Sequence, residues 1–233
     1  VLQKYSAAGS LLWTRQFGTS AFDEAVAVGV GGDGSVVVVG TTLGAFPGQT
    51  LGGEQDAFVR KYDADGTLLW GRQFGTTEAD WADAVSIDQA GAVVVVGTTF
   101  AAFPGQSHAG SGDAFVRKYD GNGALLWTRE FGGTGWDTPL GVSMAPNGRV
   151  LVAGAFDGAL PGQVALGAHD AFLVTYDASG TLLRTRQFGT SGSDYAYAVT
   201  TASNGRAFVV GSVQHALPGR VSLGGDDAFL WAV

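Results

Sequence analysis

Short apolar runs separated by Gly-, Asp- and Asn-rich turns succeed one another along the whole chain. No stretch carries a 3.6-residue hydrophobic period over three turns. In the segment that begins at Trp81 the runs predict four strands, at 82–88, 92–98, 114–119 and 124–131. Val, Phe, Tyr, Trp and Leu fill them, and β-branched and aromatic side chains fit a pleated surface. Val93-Val94-Val95-Val96 does not alternate with polar residues, as expected of a strand covered on both faces. The turns Gln89-Ala90-Gly91 and Asp120-Gly121-Asn122-Gly123 supply residues that tolerate positive φ, as hairpins require. The chain reads as all-β.

This four-strand pattern recurs with a period of 57 residues, set by Asp56, Asp113, Asp170 and Asp227. The same step links Trp13, Trp70 and Trp127, with Arg184 breaking the column; it also links Gly40, Gly97, Gly154 and Gly211, and Pro47, Pro104, Pro161 and Pro218. Self-similarity at a fixed period of this length points to a propeller, solenoid or array, and four antiparallel strands per unit describe a propeller blade. The expected fold is therefore one β-propeller domain over 1–233, with units at about 1–22, 23–79, 80–136, 137–193 and 194–233, the two end segments sharing a blade. The count favours a ring of four blades, closed by strand 11–17 lying outside strand 229–233; a segment of a larger propeller is the alternative. Residues 1–5 and 229–233 compete for one place in that ring. The first residue is Val1 rather than Met, and the chain is expected to be a processed piece or an excerpt.

The motif Asp-Ala-Phe-Val-x-Lys-Tyr-Asp, then Gly-x-Leu-Leu-Trp-x-Arg-Gln-Phe-Gly, then Phe-Pro-Gly-Gln or Leu-Pro-Gly-Gln, resembles the bacterial SBBP-type β-propeller repeat. That resemblance implies the propeller architecture and a secreted or cell-surface setting. It implies little about activity, since fold and function separate readily.

Composition narrows the partners. Gly, at 38 of 233 residues, is more than twice as frequent as the roughly 7% average, which suits a fold with many tight turns. A net charge of -8 repels phosphate backbones and makes nucleic acid a poor partner. No run of eighteen apolar residues is present, so no membrane-spanning helix is expected. There is no Cys, which removes disulfides and thiolate chemistry.

The most distinctive polar positions lie where each fourth strand leads into the next first strand. Asp23, Asp80, Asp137 and Asp194 close these loops, each beside an aromatic: Phe22, Trp81, Trp136 and Tyr195. One reading is a repeated ligand shelf, where a ring stacks on a sugar or peptide side chain and the carboxylate accepts hydrogen bonds. The other is structural, with Asp holding the loop through backbone N–H groups or pairing with Arg15, Arg72, Arg129 and Arg186. The aromatic changes sides of the Asp between units, which argues against one repeated binding geometry. The hairpin Asp63-Ala64-Asp65-Gly66 has a calcium-like spelling, but its copies lose the second carboxylate, so turn chemistry explains it better. His108, His169 and His215 fall at unrelated places in the repeat, so no metal site is expected, and no cofactor motif or catalytic constellation is present. The expected function is a non-enzymatic extracellular or cell-surface scaffold that binds a protein partner. The alternative is a lectin-like propeller holding glycan between blades through its aromatic–Asp pairs.

Overall fold

In the computed structural model, which describes residues 1–233, the chain forms seventeen strands and no helix. Three complete antiparallel meanders follow one another. The first comprises β3 (Asp23–Val30), β4 (Val36–Thr42), β5 (Asp56–Tyr62) and β6 (Leu68–Phe74). The second comprises β7 (Asp80–Ile87), β8 (Val93–Thr99), β9 (Asp113–Tyr119) and β10 (Leu125–Phe131). The third comprises β11 (Asp137–Met144), β12 (Val150–Asp157), β13 (His169–Tyr176) and β14 (Leu182–Phe188). A pair, β1 (Leu2–Tyr5) and β2 (Leu11–Arg15), precedes them, and a three-stranded sheet follows: β15 (Asp194–Thr201), β16 (Ala207–Val213) and β17 (Asp227–Ala232).

The first strands β3, β7, β11 and β15 pack on one another in sequence, so each is the inner strand of its blade. Between blades the core is continuous. Val93 and Val95 join the cluster shared with Val37, Val39 and Val59 of the preceding blade; Val94 and Val96 join Val150 and Val152 of the following one. All four are wholly buried, which is why this strand lacks alternation.

The expected closure of the ring does not occur. β2 pairs with β1 alone and β17 with β16 alone, so residues 1–5 and 229–233 each keep their own place. Val26, Val28 and Val30 on β3 are 50%, 57% and 67% exposed as a result.

Adjacent blades are fastened by a repeated latch. Trp13, Trp70 and Trp127 donate their indole N–H to the hairpin carbonyls of Ala64, Gly121 and Ala178 in the next blade, at 3.0–3.1 Å. Lys4, Lys61 and Lys118 reach the same hairpins. Arg15, Arg72 and Arg129 lie over the Trp rings at 5.5–5.8 Å rather than pairing with the loop Asp residues, so that version of the structural reading is corrected. Trp70, Trp127 and Phe74 are buried, while Trp13, Phe17, Phe131 and Phe188 are half-buried.

Each inner strand carries a bulge at the same step of the repeat, adding Val26, Asp83, Leu140 and Tyr197. Opposite each bulge stands Gly40, Gly97, Gly154 or Gly211, where a Cβ would collide with the carbonyl oxygen of Glu24, Trp81, Thr138 or Tyr195. The Gly column is therefore a consequence of close backbone approach. A bulge bends its strand and re-aims side chains, here toward the inner end of the blades.

Candidate functional site

The four loop Asp residues and their aromatic neighbours part company in space. Asp80, Asp137 and Asp194 are fully buried and Asp23 half-buried. Their carboxylates accept the backbone N–H of Thr19, Thr76, Gly133 and Thr190 at 2.5–2.6 Å. Each thus closes its own loop, and none lines the cleft described next. Burial raises the carboxyl of Asp80, and it pushes that of Asp137 up to about 7 with help from the negative charge of Asp113.

Three of the aromatics converge. Trp81, Trp136 and Tyr195 border one open cleft of about 690 Å³ spanning the inner ends of three blades. The rings of Trp81 and Trp136 lie 5.9 Å apart, and Phe100 packs edge-on against both at 4.9 and 5.2 Å. Across the cleft His169, Tyr195 and Tyr197 form a stack, with centroid separations of 5.6 and 5.8 Å. Trp136 is 42% exposed and Tyr197 51% exposed, so both present free ring surface. Gln55 accepts the indole N–H of Trp81 at 2.8 Å and fixes that ring. Phe22 is 56% exposed and does not border the cleft. Three of the four loop aromatics thus border one shared cleft, and the fourth lies apart from it.

Two carboxylates, Asp83 and Asp157, complete the lining, with no Lys or Arg among its residues. Asp83 is the bulge residue of β7, and its only hydrogen bond is a long one, 3.5 Å, from the Thr98 hydroxyl. Burial pushes its carboxyl up to about 7. Sequence reasoning missed Asp83, Tyr197 and Leu140. The signal was available, since they share one repeat position opposite an obligatory Gly, but only pairing register shows that this position is a bulge.

Comparison with solved structures gives the WD40 domain of Neurospora crassa Pan2, with a TM-score of 0.52 at 11% identity, covering 90% of this chain and 54% of that one. An apocarotenoid oxygenase from Synechocystis superposes with a TM-score of 0.51 at 10% identity, over 99% of this chain and 55% of that one. The fold is of the β-propeller type. At such identities the likeness extends to the fold alone, and one of the two neighbours is an oxygenase. Among curated proteins, Regulatory protein FlaEY of Caulobacter vibrioides is 29% identical over 206 residues, covering 79% of this chain and 21% of that protein. The chain thus spans about a fifth of the length of that relative. No family model matches the chain, so the SBBP resemblance rests on motif alone.

Away from the cleft, His108 Nδ1 lies 3.0 Å from Glu130 Oε1 and 3.6 Å from Asp113 Oδ2. Glu130 is raised above the usual carboxylate range by burial. The Asp63 hairpin is a turn in fact: Asp63 Oδ1 accepts the N–H of Asp65 and Thr67 at 3.0 and 2.8 Å, and Gly66 takes a φ of 78°.

Proposed function

We propose that this chain is a non-enzymatic interaction module in which a propeller-type scaffold presents the aromatic cleft to a protein partner. The observation that carries the reading is the convergence of Trp81, Trp136, Tyr195 and Tyr197, from three blades, on one open cleft with two acidic groups at its margin. Aromatic rings offer large contact area at low entropic cost, and exposed rings set in a rigid frame are the usual anchors of a binding surface. The cleft sits on a packed frame, because β11 packs directly on both β7 and β15. A 29% identical relative described as a regulatory protein is in keeping with binding rather than turnover. The proposal includes an extracellular or cell-surface setting, supported by the motif resemblance alone.

Glycan binding is the second reading. It is favoured by the exposed face of Trp136 and the carboxylates of Asp83 and Asp157 in the same cleft. Peptide display and a glycan array on the parent protein, repeated with Trp136→Ala and Tyr195→Ala, separate the two. Enriched peptides lost in the variants support the first reading. Glycan hits lost in the variants support the second, and blank results on both platforms overturn the assignment of this cleft.

A further inference from the structure

We infer that His108, Asp113 and Glu130 form a divalent-cation site, of the kind that takes zinc, present in one blade only. Its basis is the repeat. Glu130 stands where the other units have Gln16, Gln73 and Gln187, and His108 stands where they have Leu51, Ala165 and Ser222. Glu130 departs from an otherwise constant Gln, His108 occupies a position that differs in every unit, and the fold brings the two together.

The sister blades show what the departure does. Gln73 Nε2 donates to Asp56 Oδ2 at 2.9 Å and to the Gly44 carbonyl at 3.0 Å, while its Oε1 accepts the Phe46 N–H at 2.9 Å. Gln187 repeats the arrangement with Asp170, Gly158 and Leu160. In the middle blade Glu130 Oε2 still accepts its loop N–H, from Phe103 at 3.0 Å. The amide donor, however, has become Oε1, an acceptor facing the Asp113 carboxylate. The Glu130 side chain is 0% exposed and that of Asp113 1%. Beyond the cluster, Oε1 has no hydrogen-bond donor. Two carboxylates buried without the bridging donor need a proton or a cation between them.

The imidazole is placed to share that group. His108 Nδ1, Asp113 Oδ2 and Glu130 Oε1 all lie within 4.8 Å of one another. Zinc–ligand bonds of about 2.0–2.1 Å imply tetrahedral edges of about 3.3–3.4 Å. The separations of 3.0 and 3.6 Å from Nδ1 bracket that value. One imidazole with two carboxylates suits zinc better than calcium, which takes six to eight oxygen ligands. Orientation is already fixed: Asp113 accepts the N–H of Ala109 and Gly110 at 2.7 and 3.1 Å, and such outer bonds hold ligands in place. His108, 18% exposed, supplies the route to solvent and an open fourth position.

The test is titration of EDTA-treated protein with Zn²⁺ by calorimetry and with Co²⁺ by visible absorption, together with melting curves with and without Zn²⁺. Glu130→Gln and His108→Leu restore side chains that neighbouring units already carry, so both variants are expected to fold, and circular dichroism checks this. The expected result is one Zn²⁺ per chain, a tetrahedral Co²⁺ spectrum and a raised Tm, with affinity down at least tenfold in each variant. Absence of Zn²⁺ and Co²⁺ binding by the parent, or equal binding by the variants, overturns the site and leaves a proton-bridged His–Glu pair.

Discussion

Trp81 and Trp136 lie with ring centroids 5.9 Å apart, although they occupy different positions of the repeat. Trp81 follows its loop Asp and sits on β7; Trp136 precedes its loop Asp and sits on the way into β11. The parallel bridge between Gly112 and Trp136 carries the second indole toward the previous blade. The change of side that argues against a repeated binding geometry is what lets two unequal aromatics meet. One cleft results, not four.

Substitution should separate cleft rings from latch rings. Trp136→Ala removes a 42% exposed ring and is expected to cost about 1–2 kcal/mol, the scale of its two aromatic pairs with Trp81 and Phe100. Trp70→Ala empties a buried latch and removes the indole bond to Gly121, so a loss of about 3–5 kcal/mol is expected. Urea denaturation of both variants reads the difference, and equal costs would contradict the division.

Gly97→Ala should be among the most damaging small changes in the chain. Its Cβ would strike the Trp81 carbonyl and the Phe115 ring, both in the fixed interior of the second blade. Overpacking of this kind costs about 1–3 kcal/mol or more. Gly105→Ala meets no atom within 4 Å and suffers only from its φ of 76°, so about 1 kcal/mol is expected there. Comparison of the two melting temperatures checks the ranking.

Stability should fall as pH rises from about 4 to about 7 and level off above. Asp83 and Asp137 have carboxyls pushed up to about 7 by burial, against about 3.9 in an unfolded chain. The folded state holds these protons more tightly, so it is favoured where they are bound and loses that advantage as they leave. Melting curves at pH 5 and pH 8 should show the higher Tm at pH 5. Asp83→Asn should reduce the slope without abolishing it, because the amide has no proton to lose while Asp137 still titrates.

Asp80→Ala is expected to cost about 1–3 kcal/mol through the buried N–H of Thr76, which loses its acceptor. Asp80→Asn keeps an oxygen and should cost less. Hydrogen exchange at Thr76 provides the local readout: fast exchange in the Ala variant and slower exchange in the Asn variant.

Strands, turns and period were open to reading because each depends on residues close in sequence. The Val93–Val96 run, the Pro-Gly turns and the 57-residue columns carry their own periodicity and turn chemistry. Gly48, Gly105, Gly162 and Gly219 take φ of 74–76° as those turns require, and Phe46, Phe103 and Leu160 tuck into the core ahead of them.

What pairs with what across blades was decided only by tertiary structure. Asp83 enters the cleft because one extra residue re-aims β7, and a bulge is a property of register between strands. His108 meets Glu130 because β10 returns beside the loop that leads into β9, a contact that comparing histidines with one another does not show. The open ring is a matter of edges, set by β2 staying with β1 and β17 with β16. Sequence determined the blade, since its pattern is local and repeated four times. Structure determined the cleft and the cluster, since both arise where the copies differ.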